Sequence, residues 1–215
     1  LDAFLGLAPP PGPRVGPRGP VPPARPQFAG QVFKIQANLN PRHRDRVAFV
    51  RVCAGVFTPD VEPVVARTGE RLRVKGSHRL FARDREDVRE AYPGDVIGLA
   101  FTRGVRLGDT LYDGPPVEFA WLPQLSPECF ASVRCPDNGR RKQLAEGLGQ
   151  LADEGAVQVF TDPDNALEPI LAAVGELQFD VVKFRLESEY GVAAEITPLP
   201  YRAGGWVGAG RAALA

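Results

Sequence analysis

The sequence predicts a β domain followed by an α/β domain. Two observations carry this. From Phe28 to about Pro123, short apolar runs alternate with turn signals at Gly, Pro and Asp, with no helical period between them. After Pro123 the period lengthens in two stretches, and the order reads β-α-β-β-α-β. The 215 residues suffice for two domains, each with its own core.

Asp2–Leu7 reads as the last turn or two of a helix stopped by Pro9-Pro10, the end of a domain upstream over 1–7, while composition alone fits a disordered start equally well. Residues 11–26 hold seven Pro, three Gly and three Arg, which predicts a semi-extended linker over 8–27 with too little apolar surface to pack. The β domain is expected over 28–123. Phe33, Ile35 and Ala37 alternate with Val32, Lys34 and Gln36, and 46–55 is a second strand ending at a Gly. Residues 64–74 read as a hairpin closed at Thr68-Gly69-Glu70, and 91–100 as a Pro-Gly turn feeding a strand. The Gly-Asp device recurs at 107–111. Short strands at this spacing predict a closed antiparallel barrel, which leaves no free sheet edge.

The second domain is expected over 124–205, with residues 206–215 a truncated tail. Its strands are 129–135, 157–160, 169–175 and 192–199. Its first helix, 140–155, carries Leu144, Leu148 and Leu151 on one face and stops at Gly155. Its second, 175–191, presents Leu177, Val181 and Phe184 and stops at Gly191. The order βαββαβ is the ferredoxin-like pattern.

Acids and bases balance at 26 each, but unevenly along the chain. Residues 34–83 hold eleven Lys/Arg against four Asp/Glu, a local +7, and a locally basic segment in a neutral chain can be an electrostatic footprint for nucleic acid. Three cysteines without a CxxC, and two histidines, give neither a zinc pattern nor a disulfide framework, which suits a reduced cytosolic setting. No apolar run reaches the length of a membrane span.

A phosphate-cradling P-loop requires GxxxxGK[ST], and the nearest string, 69–77, lacks the second Gly before Lys75 and the Ser/Thr after it. No nucleophile has a positioned base, so no catalytic residue is assigned. The densest cation cluster is NPRHRDR at 40–46. Arginine forks suit phosphate oxygens, which makes Arg42, His43, Arg44 and Arg46 candidate RNA contacts, with Lys34 and Arg67 behind them. Charge alone also fits a solvated loop tip or pairing with Asp45.

FKIQANLNPRHRDRVAFVRVCAG (33–55) resembles the start of the second domain of the class II peptide chain release factors, which are translational GTPases. ARTG (66–69), REDVREAYPGDVIGL (85–99), LGDTL (107–111), DEGAVQVF (153–160) and GELQFDVVKFRLESEYGV (175–192) are similar to that family in the same order. FLGLAPPPGPR (4–14) is similar to the exit from its GTPase domain. The resemblance implies a translation-factor-type β-barrel followed by a ferredoxin-like third domain. It implies a cytoplasmic, monomeric protein of termination that binds the ribosome and promotes dissociation of stop-codon-reading release factors. The barrel would meet small-subunit RNA and the ribosomal protein beside the decoding centre. GTP, GDP and Mg²⁺ would belong to the GTPase domain, and this segment would hold no cofactor or metal and perform no catalysis.

The sequence departs from the family at Asp60 and Glu62, where Gly and Lys are usual, and at Gly204-Gly205, where Arg is usual. Contacts at those points do not carry over. Two rival readings are an elongation-factor-G-like translocase or ribosome-protection GTPase, and a stand-alone barrel binding RNA or protein.

Overall fold

The computed structural model describes residues 2–36, 46–81, 84–101, 103–120, 122–123, 125–162 and 165–204. The chain divides into two compact units, Leu1–Leu122 and Pro123–Ala215.

The first unit opens with α1 (Asp2–Leu7) and the strands β1 (Arg14–Gly16) and β2 (Gly19–Val21). Within the segment expected to be a semi-extended linker, residues 14–21 form a hairpin. It turns at Gly19, whose φ of +110° favours glycine, and Pro20 is the one proline of the segment inside a strand, in a pair of three-residue strands that bond no other sheet. Polar bonds hold it to the β domain. Ala120 N–H donates to Val15 O at 3.1 Å and Gly55 N–H to Pro23 O at 3.1 Å. Gly16 lies so close to the Glu118 carbonyl that no side chain could stand there.

Seven strands follow: β3 (Ala29–Gln36), β4 (Arg46–Ala54), β5 (Val64–Val65), β6 (Gly76–Phe81), β7 (Asp84–Asp87), β8 (Val96–Phe101) and β9 (Thr110–Tyr112). They pair antiparallel in the order β5-β9-β3-β4-β8-β6-β7. The expected closed ladder is not formed among the described residues, since β5 and β7 are the two ends. The sheet still wraps one core. Val65 and Leu72 from one end, and Val88 and Ala91 from the other, join Phe28, Val50, Ile97 and Leu99 in a single cluster. β5 spans two residues and is paired with β9, with no ladder to β7. Phe57 and Ala91 instead exchange backbone bonds of 2.9 and 3.0 Å across the gap. Phe57 also meets Phe28 edge to face at 5.2 Å, and burial of each ring contributes about 1.5–3 kcal/mol.

The alternation expected in β3 is interrupted, since its pairing with β4 shifts register at Ala29/Gly30 and again at Val32/Lys34. The second shift, a bulge, leaves Val32 and Ile35 in the core and turns Phe33 outward, 41 % exposed.

The second unit contains β10 (Cys129–Arg134), α2 (Arg141–Asp153), β11 (Gln158–Asp162), β12 (Asn165–Ala173), α3 (Leu177–Tyr190) and β13 (Glu195–Leu199). The sheet order β11-β12-β10-β13 with antiparallel pairing is the ferredoxin-like arrangement. Leu144, Leu148 and Leu151 of α2 pack on Ala131, Val133 and Leu171, as their spacing predicts. α3 differs. It buries Phe179, Val182 and Leu186, and leaves Leu177, Val181 and Phe184 exposed. The helix carries two apolar stripes, and the one adjoining the sheet is not the one expected from the sequence. Gly191, at φ +66°, ends α3 with bonds from its own N–H to Glu187 O and from Val192 N–H to Leu186 O. Among the described residues, no helix is long and apolar enough to cross a membrane.

Candidate nucleic-acid interface

The six cationic candidates separate by environment. Arg42, His43 and Arg44 lie outside the described residues. Arg46, the first residue of β4, is only 6 % exposed, and its guanidinium lies over the Phe101 ring, 5.2 Å from the centroid. A desolvated cation on an aromatic face contributes on the order of 2 kcal/mol, so this side chain braces the β4–β8 pair.

Arg67 is also engaged internally. Its Nε and Nη2 donate to the two carboxylate oxygens of Asp109 at 2.8 and 2.9 Å. The Asp109 side chain is 0 % exposed and takes a third bond, 2.8 Å, from the Arg106 N–H. This fork joins the turn at 66–69 to the turn before β9. A buried carboxylate needs such partners to remain charged.

Lys34 is the described candidate that is exposed without a carboxylate partner. It follows the bulge, and its ammonium lies 5.1 Å from the centroid of Phe49. Phe33 meets the same ring edge to face at 6.4 Å. The strand register extends the group. Lys34 pairs with Phe49, and Gln31 with Arg51, two residues further along the same face of β4. Arg14 of the hairpin donates to Gln31 Oε1 at 2.6 Å. Cys53 lies next on that face. Burial pushes its thiol up, and the positive charges of Arg14 and Arg51 pull it partly back.

One outer face thus gathers Arg14, Arg51, Lys34, Phe33 and Phe49. Among the described residues, none of these three cations is ion-paired to a carboxylate. Some arginines elsewhere are matched: Arg67 with Asp109, Arg71 with Glu62, and Arg185 with Glu154 and Glu189. Sequence reasoning did not single out Phe33, Phe49 or Arg51, and it read Arg14, with the other arginines of residues 11–26, as solvated charge ahead of an RNA contact. The overall basic count of this region was the signal for Arg51, but nothing local marks the bulge that exposes Phe33.

The second unit has a groove of about 480 Å³ between the start of α3 and β13, lined by Phe130, Asp180, Lys183 and Tyr201 among others. No group of three or more potential metal ligands occurs among the described residues. His78 lies 3.1 Å from an Asp87 that is 92 % exposed, a solvated pair on neighbouring strands.

Comparison with known proteins assigns the two units separately. Residues 27–114 match the family described as elongation factor G domain 2, and residues 119–214 match the class II release factor RF3, C-terminal domain. Over all 215 residues the chain is 48 % identical to peptide chain release factor 3 of Rippkaea orientalis and 47 % identical to that of Trichormus variabilis. It is 48 % identical over 208 residues to that of Gloeobacter violaceus. The chain spans about 40 % of the length of these relatives. A crystal structure of a Thermus thermophilus protein superposes with a TM-score of 0.64 at 25 % identity, covering 80 % of this chain and 26 % of that one.

Proposed function

We propose, on the premise that both domains of this chain belong to the class II release factor family, that it is the ribosome-binding portion of a translation-termination GTPase. The observation that carries the reading is the co-linear identity of 48 % across the whole chain, through both domains in order. The 27–114 match alone would equally suit a translocase of the elongation factor G kind, and the 119–214 match favours termination.

On this reading the full protein hydrolyses GTP with Mg²⁺ in a domain outside this segment. It acts in the cytoplasm to promote dissociation of stop-codon-reading release factors. This segment recognises the ribosome through its basic β domain, contacts small-subunit RNA and protein near the decoding centre, and relays the state of the GTPase domain. It performs no chemistry. The 215 residues hold no GxxxxGK[ST] string to cradle a nucleotide phosphate.

The test is co-sedimentation with 70S ribosomes over a salt series. Arg42→Glu/Arg44→Glu is the informative variant, because Arg46 is buried against Phe101 and its replacement would confound binding with folding. Wild type should pellet, with affinity falling as salt rises, and the double variant should lose affinity and salt dependence together. Equal, salt-insensitive pelleting of both proteins would sink the reading.

A further inference from the structure

We infer that the outer face of β3 and β4 stacks an unpaired nucleobase of an RNA strand on Phe33, with Lys34, Arg51 and Arg14 taking the flanking phosphates; the inference rests on the ribosomal reading above for its natural occupant.

An even alternation would place one residue of the Phe33-Lys34 pair inside, yet both are exposed, because the register slips between Val32 and Lys34. A bulge turns a large aromatic ring toward water beside a half-buried second ring, Phe49, which holds it edge to face at 6.4 Å. Exposing part of a phenyl ring forfeits burial free energy that the fold would otherwise gain. A partner with a flat, apolar face recovers it.

Charge selects the class of that partner. Lys34 lies over Phe49, and Arg51 and Arg14 meet at Gln31 on the same outer face, Arg51 by strand register and Arg14 by a side-chain bond; none of the three is matched by a carboxylate among the described residues. Protein surfaces that bind one another also use aromatic anchors, but unmatched cations at the centre of such a contact carry a desolvation cost. Alternating phosphates and planar bases meet both requirements at once. Single strands offer base faces for stacking, whereas the stacked bases of a duplex do not. Lys34 also bridges the two roles, since its ammonium lies over Phe49 and can turn toward a phosphate without breaking an ion pair.

The test uses the whole 215-residue chain and a short fluorescein-labelled oligoadenylate RNA, read by anisotropy at several salt concentrations. An RNA duplex of equal length and inorganic polyphosphate serve as competitors. Phe33→Ala should weaken oligoadenylate binding about ten-fold with an unchanged salt slope, and Phe33→Trp should retain binding. Lys34→Gln/Arg51→Gln should lower the slope by about 1.4, from roughly 0.7 for each lost phosphate contact on a single strand. Phe33 is 41 % exposed, so its replacement leaves the core intact, and unchanged circular dichroism checks this.

Equal binding by wild type and Phe33→Ala overturns the inference. So does polyphosphate or duplex competing as well as the single strand. If ribosome pelleting drops with Phe33→Ala while oligoadenylate is ignored, the face belongs to a ribosomal protein and the inference also fails. Pelleting that persists while stacking fails leaves the ribosomal reading standing. Phe33-dependent oligoadenylate binding without any pelleting removes the ribosomal reading and keeps the stacking face.

Discussion

Replacing Arg67 by Met should destabilise the β domain through Asp109, not through the loss of a surface cation. The Asp109 carboxylate is wholly buried and accepts three bonds, two of them from Arg67. Methionine preserves the aliphatic stem of Arg67 but leaves the carboxylate with the Arg106 N–H alone among these three donors. Removing one partner of a buried pair costs about 3–5 kcal/mol. The Arg67 side chain is 28 % exposed, so water can reach part of the vacated site, and we expect about 2–3 kcal/mol.

Hydrogen exchange by mass spectrometry reads this separately in each unit. At about 1.4 kcal/mol per factor of ten, amides of the β domain core such as Val65, Leu72 and Leu111 should exchange roughly 30- to 150-fold faster. Peptides from α2 and α3 serve as the internal control, since they belong to the other compact unit. Arg67→Met/Asp109→Asn should cost less than the two single changes added together, because it removes the uncompensated charge. A change below about three-fold for Arg67→Met, or strict additivity in the double variant, would refute the reasoning.

Four further outcomes follow from the packing. Gly147→Ala should destabilise the second unit by about 1 kcal/mol despite its better helix propensity, since the new Cβ would lie 2.8 Å from Leu186 Cδ2 and 3.1 Å from the Tyr190 ring. Gly149→Ala, with nothing within 4 Å, should stabilise it by about 0.5–1 kcal/mol, and urea unfolding distinguishes the two signs. Val182→Ala should cost about 1–3 kcal/mol while Phe184→Ser stays within about 0.5 kcal/mol, and the reverse order would show that the wrong face of α3 is buried. The Cys53 thiol is raised by burial, so the folded state favours its neutral form; its stabilising contribution is full below the unfolded pKa of about 8.5 and is lost as pH rises through the folded value. Thermal melts should therefore fall more steeply above about pH 8.5 for wild type than for Cys53→Ala.

Much of the fold was legible because it is written in local periods. The α2 face was readable from Leu144, Leu148 and Leu151, since Lys142, Gln143, Glu146 and Gln150 leave no second stripe. α3 offers two stripes, 177/181/184 and 179/182/186, and only the sheet beneath it selects one. The bulge at Phe33 is a property of pairing with β4, so the pattern of β3 alone could not reveal it. The Pro-rich segment escaped for a related reason. Its apolar surface is indeed small, but polar bonds to Gln31, Ala120 and Gly55, all far along the chain, hold it in place.

The candidate site was less legible than the fold because a count of cations does not tell which are already neutralised. Arg67 meets Asp109 across 42 residues of sequence, and Arg46 meets Phe101 across two strands. Both stand out in the sequence for their charge, and both spend it inside the protein. Arg14 and Arg51 look no different in the sequence, yet the hairpin and the register bring them beside Lys34 without a carboxylate among the described residues. The +7 of residues 34–83 is therefore a poor measure of what a partner meets. What a polyanion would sense is the charge left over after internal pairing. Among the described residues that remainder includes a cluster around two aromatic rings, where electrostatic attraction and base stacking act on the same strand.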